Sequence, residues 1–86
     1  MFEFEYERAF VKSYKKMTKV DRELIDKKLL LLATDPEHRS LRTQRYQRLK
    51  AQKVYESSVN MSIRILWRYE DGKIILLMNV GHHDIL

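Results

Sequence analysis

Two apolar runs joined by a short turn constrain the fold of this sequence more than any other feature. The first, residues 62–69, is rich in β-branched and aromatic residues, which suit a pleated and half-buried strand. The second covers residues 73–80, and the Asp71-Gly72 dipeptide between them favours the positive φ angles of a tight turn. The pattern therefore predicts a β-hairpin over residues 62–80.

Alternation along the first of these strands gives it two different faces. The odd-numbered residues of 63–67 are apolar and are expected to face the core, whereas Arg64 and Arg68 fall on the opposite face. The second strand leads into His82 and His83, which lie level with the start of the first. We therefore expect the face that carries the arginines to be the working surface.

The residues before the hairpin predict a strand and two helices. Apolar and acidic residues alternate over residues 1–6, which is typical of a short strand. Helical spacing then predicts one helix over about residues 7–17 and a second over about 19–33, with Thr18 as its N-cap and Pro36 beyond its end. The helical positions assigned to the core are Phe10, Val11, Tyr14, Met17, Val20, Leu24, Ile25, Leu29 and Leu32.

The order of these elements predicts an α+β fold. Residues 37–50 are expected to form a loop with a little strand, and residues 54–59 another strand. The chain thus reads as an N-terminal strand, a two-helix hairpin and an antiparallel meander of three to four strands, with the helices on one face. At 86 residues we expect a single domain over 1–86.

Composition excludes several classes of protein. The sequence has no cysteine, so it has neither disulfides nor thiol chemistry. No apolar stretch approaches the ~18 residues of a membrane span, and residues 1–5 lack the features of a signal peptide. We therefore expect a cytoplasmic protein that does not bind a membrane.

The net charge of +5 is concentrated in one stretch. Every charged residue between positions 39 and 53 is basic: Arg39, Arg42, Arg45, Arg48, Lys50 and Lys53. This stretch, here called the basic arm, suits a polyanionic partner, because phosphates dominate affinity for nucleic acids. An acidic protein segment would satisfy it equally, and a solvated surface is the neutral alternative.

Most catalytic motifs are missing from the sequence. His82 and His83 are adjacent and would point to opposite faces of a strand, which is not a metal motif. There is no phosphate-binding glycine loop and no glycine-flanked serine elbow. We expect no metal and no other cofactor.

The remaining candidates for chemistry are Arg64, Arg68, His83 and Glu56 on neighbouring strands. RNA cleavage needs such groups, because a 2′-hydroxyl must lose a proton, a 5′-oxygen must gain one and the phosphorane needs cations. Histidine exchanges protons near neutral pH, and arginine binds phosphate with two donors. Two other interpretations stay open: the histidines are a solvated pair, and Arg64 is a surface cation paired with Glu56.

Three short stretches carry a resemblance to a known family: Tyr55-Glu56-x-x-Val59, Arg64 between hydrophobic residues, and Val80-Gly81-x-His83-Asp84. Together with TDPEHRSLRTQRYQRLK before them, their order and spacing resemble the RelE/ParE toxin superfamily of bacterial and archaeal toxin–antitoxin modules. The similarity covers nearly the whole chain. It implies a RelE-like fold for this chain.

The resemblance also implies an activity and the residues that perform it. RelE-like members cut mRNA in the ribosomal A site without a metal, and YafQ-like members are the most similar. Arg64 matches the strand arginine on the scissile phosphate. His83 matches a position where relatives have an Arg or His acting on the phosphate or the leaving group. Glu56 is then either a general base or the partner that holds Arg64, and Ser58 stands where many relatives have Arg or His.

Partners follow from the same resemblance. We expect a cognate antitoxin, mRNA in the ribosomal A site, and operator DNA for the toxin–antitoxin complex. The residues expected to bind RNA are Arg42, Arg45, Arg48, Lys50, Lys53, Arg68 and His82. The alternatives are a ParE-like inhibitor of DNA gyrase and a catalytically inactive module that binds the antitoxin and regulates transcription.

Overall fold

The computed structural model describes residues 1–49, 51–84 and 86, and within them it has two helices and a five-stranded sheet. The elements are β1 (Glu3–Tyr6), α1 (Arg8–Lys16), α2 (Lys19–Thr34), β2 (Gln44–Arg45), β3 (Tyr55–Ser58), β4 (Ile63–Tyr69) and β5 (Ile74–His82). Short 3₁₀ turns, Arg39–Leu41 and Gln47–Leu49, flank β2. The α+β prediction is confirmed.

The sheet order is β1-β5-β4-β3-β2. The pairs from β2 to β5 are antiparallel, as the meander predicts, whereas β1 lies parallel to β5. The predicted N-terminal strand therefore joins the same sheet at its far edge. Strand β5 is therefore an interior strand, hydrogen-bonded to β1 on one edge and to β4 on the other.

The core lies between the two helices and one face of the sheet. On β4 it takes Ile63, Ile65 and Trp67, as alternation predicts. The rest of this buried cluster consists of Phe10, Ile25, Leu32, Leu41, Val59, Ile75, Leu77 and Val80.

Helix α2 buries a narrower stripe than the sequence suggested. Ile25 and Leu32 are fully buried, but Val20 is 66% exposed and Leu24 37% exposed, so their assignment to the core was wrong. At ~100° per residue these two positions lie ~140° and ~100° around the helix from Ile25. The predicted cap is confirmed, since the Thr18 hydroxyl accepts from the Asp21 N–H at 3.1 Å.

The β4–β5 turn does not use the backbone that Asp71-Gly72 predicted. Among the described residues only Arg42 has a positive φ, so Gly72 does not adopt one. Instead the Asp71 carboxylate accepts from the N–H groups of Lys73 and Ile74, at 2.7 and 3.0 Å. Such a side-chain acceptor closes a turn without left-handed residues.

The β3–β4 turn is closed in the same way. The Asn60 side-chain oxygen accepts from the N–H groups of Ser62 and Ile63, at 2.9 and 2.8 Å. The main-chain oxygen of Asn60 is thereby held beside the start of β4.

A chain of hydroxyl groups joins the core to the basic arm. The Trp67 indole N–H donates to Ser57 Oγ at 2.8 Å, and the Ser57 and Thr43 hydroxyls are 2.7 Å apart. The Thr43 hydroxyl donates to the Pro36 carbonyl at 2.8 Å. An indole only donates and a carbonyl only accepts. Because the single proton of Thr43 goes to Pro36, Ser57 donates to Thr43, and every hydrogen bond of the chain points from Trp67 towards Pro36.

Replacing Ser57 with Ala should reduce the free energy of unfolding by about 1–3 kcal/mol, because the buried Trp67 N–H would lose its acceptor. Urea denaturation measures the change. Ser58→Ala, at the half-buried next position, should stay within about 0.5 kcal/mol of the parent. Equal losses for the two variants would show that the hydroxyl chain does not stabilise the fold.

Candidate functional site

One row of paired residues crosses the sheet on the face that the helices leave open. Arg64 lies opposite Ser58 on β3 and opposite Gly81 on β5. Since residues that pair directly share a face, Ser58 and Arg64 project together, and Gly81 adds no side chain to the row. This row is the centre of the candidate site.

The Arg64 side chain is held by main-chain oxygens. Its Nη1 donates to the Asn60 carbonyl at 2.6 Å and lies 3.3 Å from that of Ile63. The ion pairs among the described residues join Arg68 to Glu70 and His83 to Asp84, so neither neutralises Arg64. The guanidinium keeps its charge and has donors left for another anion.

A second arginine from the basic arm reaches the same place. Arg42 and Arg64 both line a cleft of about 330 Å³, whose other walls are Ser40, Ser58, Val59, Asn60 and Met61. None of these side chains is acidic. The cleft therefore presents two cations and several hydrogen-bonding groups, a combination that suits a phosphate.

Arg42 has an uncommon backbone conformation, with φ 48° and ψ 43°. It follows the 3₁₀ turn Arg39–Leu41, and its N–H donates to the Arg39 carbonyl at 3.1 Å. The left-handed region costs free energy for a residue with a Cβ, so such a residue stays there only when its surroundings impose the conformation. The arm therefore holds this arginine in place.

His83 lies in the turn that directly follows β5. Its N–H donates to the Ser62 carbonyl at 2.8 Å, two positions beyond the Gly81 that pairs with Arg64. The ring is 56% exposed, and its Nε2 lies 3.0 Å from Asp84 Oδ1.

His82, by contrast, pairs with the buried Ile63. It therefore belongs to the core-facing side of the ladder and is exposed only because it ends the strand. The structure separates it from the row that contains Arg64.

Glu56 and Arg68 have partners of their own. Glu56 faces the same surface, but its Oε1 accepts from Gln44 Nε2 at 2.6 Å, so the suggested pairing with Arg64 was wrong. Arg68 pairs with Glu70 at 3.1 Å and lies four residues along β4 from Arg64, about 13 Å at ~3.3 Å per residue. The four predicted catalytic candidates thus do not form one cluster.

The basic arm does not form one surface either. Arg45 pairs with Tyr55, which pairs with Trp67, and its Cζ lies 5.9 Å from the Tyr55 ring centroid on the core-facing side. Arg48 donates to the main-chain oxygen of Leu86, and Lys53 is exposed in the turn before β3. Lys50 lies outside the described residues.

Sequence patterns alone do not select Ser40 or Asn60 for the cleft. Each enters through local geometry: Asn60 by closing the β3–β4 turn, and Ser40 by its place in the 3₁₀ turn. An Asn three residues before a strand is a usable signal for the turn, but not for the contact with Arg64.

Two tyrosines have perturbed pKa values. Burial raises the pKa of Tyr69, and the hydrogen bond to Asp26 raises the pKa of Tyr14, so neither phenol ionises near neutral pH. Both lie outside the cleft. Over the part of the chain that the structure describes, no three His, Asp or Glu side chains gather as metal ligands.

No protein-family model and no curated protein matches the sequence. Solved structures do match its fold. A metal-bound toxin from Helicobacter pylori superposes with a TM-score of 0.82 at 20% identity, over 100% of this chain and 99% of that one. YafQ from Escherichia coli gives 0.79 at 16% identity, over 99% and 97% of the two chains. The E. coli RelBE toxin–antitoxin complex gives 0.68 at 20% identity, over 95% and 96%.

This is the RelE/ParE-like toxin fold. The predicted resemblance is confirmed at the level of fold, and the likeness extends over essentially the whole described chain. The RelE/ParE-like fold places Arg64 on the central strand β4 and the basic arm beside it.

The left-handed backbone at position 42 predicts an unusual order of stability. Arg42→Gly should be more stable than Arg42→Ala by about 0.5–1 kcal/mol, because only alanine has a Cβ that opposes a positive φ. Thermal or urea unfolding of the two variants measures the difference.

Arg39 provides the matched control, since it lies in the same turn without a positive φ. There the alanine variant should be the more stable of the two. Alanine ahead of glycine at both positions would contradict the left-handed conformation of Arg42.

Proposed function

We propose that this protein is the toxin of a type II toxin–antitoxin module and acts as a ribosome-dependent mRNA endonuclease that uses side chains rather than a metal ion. The observation that carries the proposal is the acid-free cleft that Arg42 and Arg64 both line. His83 lies in the turn after β5, and its N–H donates to Ser62, the residue before β4. The RelE/ParE-like fold supports it, since the similar structures include YafQ and the RelBE toxin–antitoxin complex.

In the proposed reaction the 2′-oxygen of a nucleotide attacks the adjacent phosphorus. The 2′-hydroxyl loses its proton, a new P–O bond forms, and the bond to the 5′-oxygen breaks as that oxygen gains a proton. Arg64 and Arg42 donate hydrogen bonds to the non-bridging oxygens, whose negative charge grows in the phosphorane. The main-chain contact at Asn60 restricts the Arg64 side chain before RNA arrives.

His83 is the proposed proton-transfer residue. With its Nε2 against Asp84, the hydrogen bond to the carboxylate leaves Nδ1 to exchange a proton with RNA. The protonated ring would serve the leaving 5′-oxygen, and the neutral ring would serve the 2′-hydroxyl. Glu56, held by Gln44 on the same face, is the second candidate for the base.

Replacing His83 with Gln should lower the rate of mRNA cleavage on translating ribosomes by about 10²–10⁴-fold, the usual contribution of a general acid or base. The free energy of unfolding should change by no more than ~0.5 kcal/mol, because the side chain is exposed. Primer extension on a reporter message measures cleavage directly.

His82→Gln is the matched control, because it makes the same change one residue away on the other side of the ladder. It should retain nearly full cleavage. Equal loss in both variants would remove His83 from the reaction. Absence of cleavage by the parent protein, together with cut DNA accumulating in the presence of gyrase, would replace the proposal with gyrase inhibition. If the parent protein shows neither activity, the result would indicate an inactive binding module.

The proposed partner is a cognate antitoxin that covers the cleft with an acidic segment, and the complex is proposed to bind operator DNA. Support comes from the toxin–antitoxin complex among the similar structures and from the charge of the basic arm. Opposite charges speed association more than they add affinity.

Since Arg42 and Arg45 lie on different sides of the sheet, charge reversal at each should reveal the path of the antitoxin. Arg42→Glu should slow association at low salt and flatten its salt dependence. Arg45→Glu should do so only if the antitoxin also crosses β2. Stopped-flow rates at several salt concentrations test this, and an unchanged rate for both variants would show that the antitoxin avoids the arm.

A further inference from the structure

The residues on either side of Arg42 are both fixed to the core. Leu41 is fully buried among the core residues. Thr43 is bonded at once to the Pro36 carbonyl and to the buried Ser57 hydroxyl, which in turn accepts from Trp67. Arg42 is exposed between these two anchors.

The two anchors account for the strained backbone. With both neighbours fixed, the chain must turn sharply at position 42, and it does so with a φ of 48°. Glycine would satisfy this conformation without steric cost, but it would bring no charge to the cleft. An arginine in the left-handed region is therefore maintained by its surroundings and presented to the cleft that Arg64 lines.

We infer that Thr43 and Ser57 are positioning residues, which hold Arg42 in its left-handed conformation so that its guanidinium binds an RNA phosphate together with Arg64. The inference rests on the proposed function for its ligand, but the clamp itself is a property of the free protein. The hydroxyl chain thus connects the packing of Trp67 to the charge in the cleft.

The first test measures binding of polyuridylate, a single-stranded RNA without sequence information. Arg42→Gln should weaken binding and reduce the slope of log K against log salt by about 0.7, the loss of one phosphate contact. Thr43→Val keeps the shape of the side chain but removes its hydroxyl, and it should do the same. Thr43→Ser keeps the hydroxyl and should bind like the parent.

The double variant separates positioning from general destabilisation. If Thr43 acts through Arg42, adding Thr43→Val to Arg42→Gln should weaken binding no further. Ser13→Ala is the matched control, because it removes a half-buried side-chain hydrogen bond to Asn79, on β5, that involves no cleft residue. It should leave the salt slope unchanged. Additive losses, or normal binding by Thr43→Val, would overturn the inference.

The second test needs no RNA. The stability advantage of Gly over Ala at position 42 should disappear in the Thr43→Val background, because the chain is then free to leave the left-handed region. Persistence of the full advantage would show that Thr43 does not impose the conformation. If the parent fails to bind polyuridylate, the proposed RNA ligand is wrong, and this comparison alone decides whether the clamp exists.

Discussion

The arrangement of the cleft depends on the need of one buried indole N–H for an acceptor. Trp67 is almost completely inaccessible to solvent, and an unpaired donor in such a place costs about 1–3 kcal/mol. Ser57 supplies the oxygen, but its own hydroxyl proton then needs an acceptor as well. Ser57 donates to Thr43, and Thr43 donates to the Pro36 carbonyl, where the chain leaves α2 for the basic arm. A requirement of the core thus fixes the position of a surface segment.

Strand β4 contributes side chains to both the core and the cleft. Trp67 packs towards the helices, while Arg64 projects from the opposite face of the same strand. The two hairpin turns that flank β4 are closed by Asn60 and Asp71, and the first of them also holds the Arg64 guanidinium. Any shift of β4 by one residue would exchange its faces, so core and cleft are specified together.

The sequence was most informative where local rules decide the structure. Alternation placed Arg64 and Trp67 on opposite faces, and the N-cap at Thr18 located the start of α2. It was least informative where distant residues compete for one group. Nothing local indicates that Gln44 takes the Glu56 carboxylate, or that an aspartate side chain replaces the expected glycine conformation at the β4–β5 turn.

The positions of the arginines in the basic arm were also not predictable from the sequence. Its composition predicted a cationic surface, but β2 is only two residues long, and alternation within it sends Arg45 to the core-facing side. Arg42 reaches the cleft through a backbone angle that no propensity for arginine predicts. The number of basic residues could be read from the sequence, but the side of the sheet on which each one lies could not.

The parallel pairing of β1 with β5 imposes an order on folding. Residues 3–6 find their strand partners only at residues 74–77, so β1 cannot join the sheet until nearly all of the described chain has been synthesised. The helices and the β3–β4 hairpin involve closer neighbours and can form earlier. A nascent chain that stops before β5 therefore already contains every residue that lines the cleft but lacks His83. The sheet is therefore completed in one late step, when β5 enters between β1 and β4.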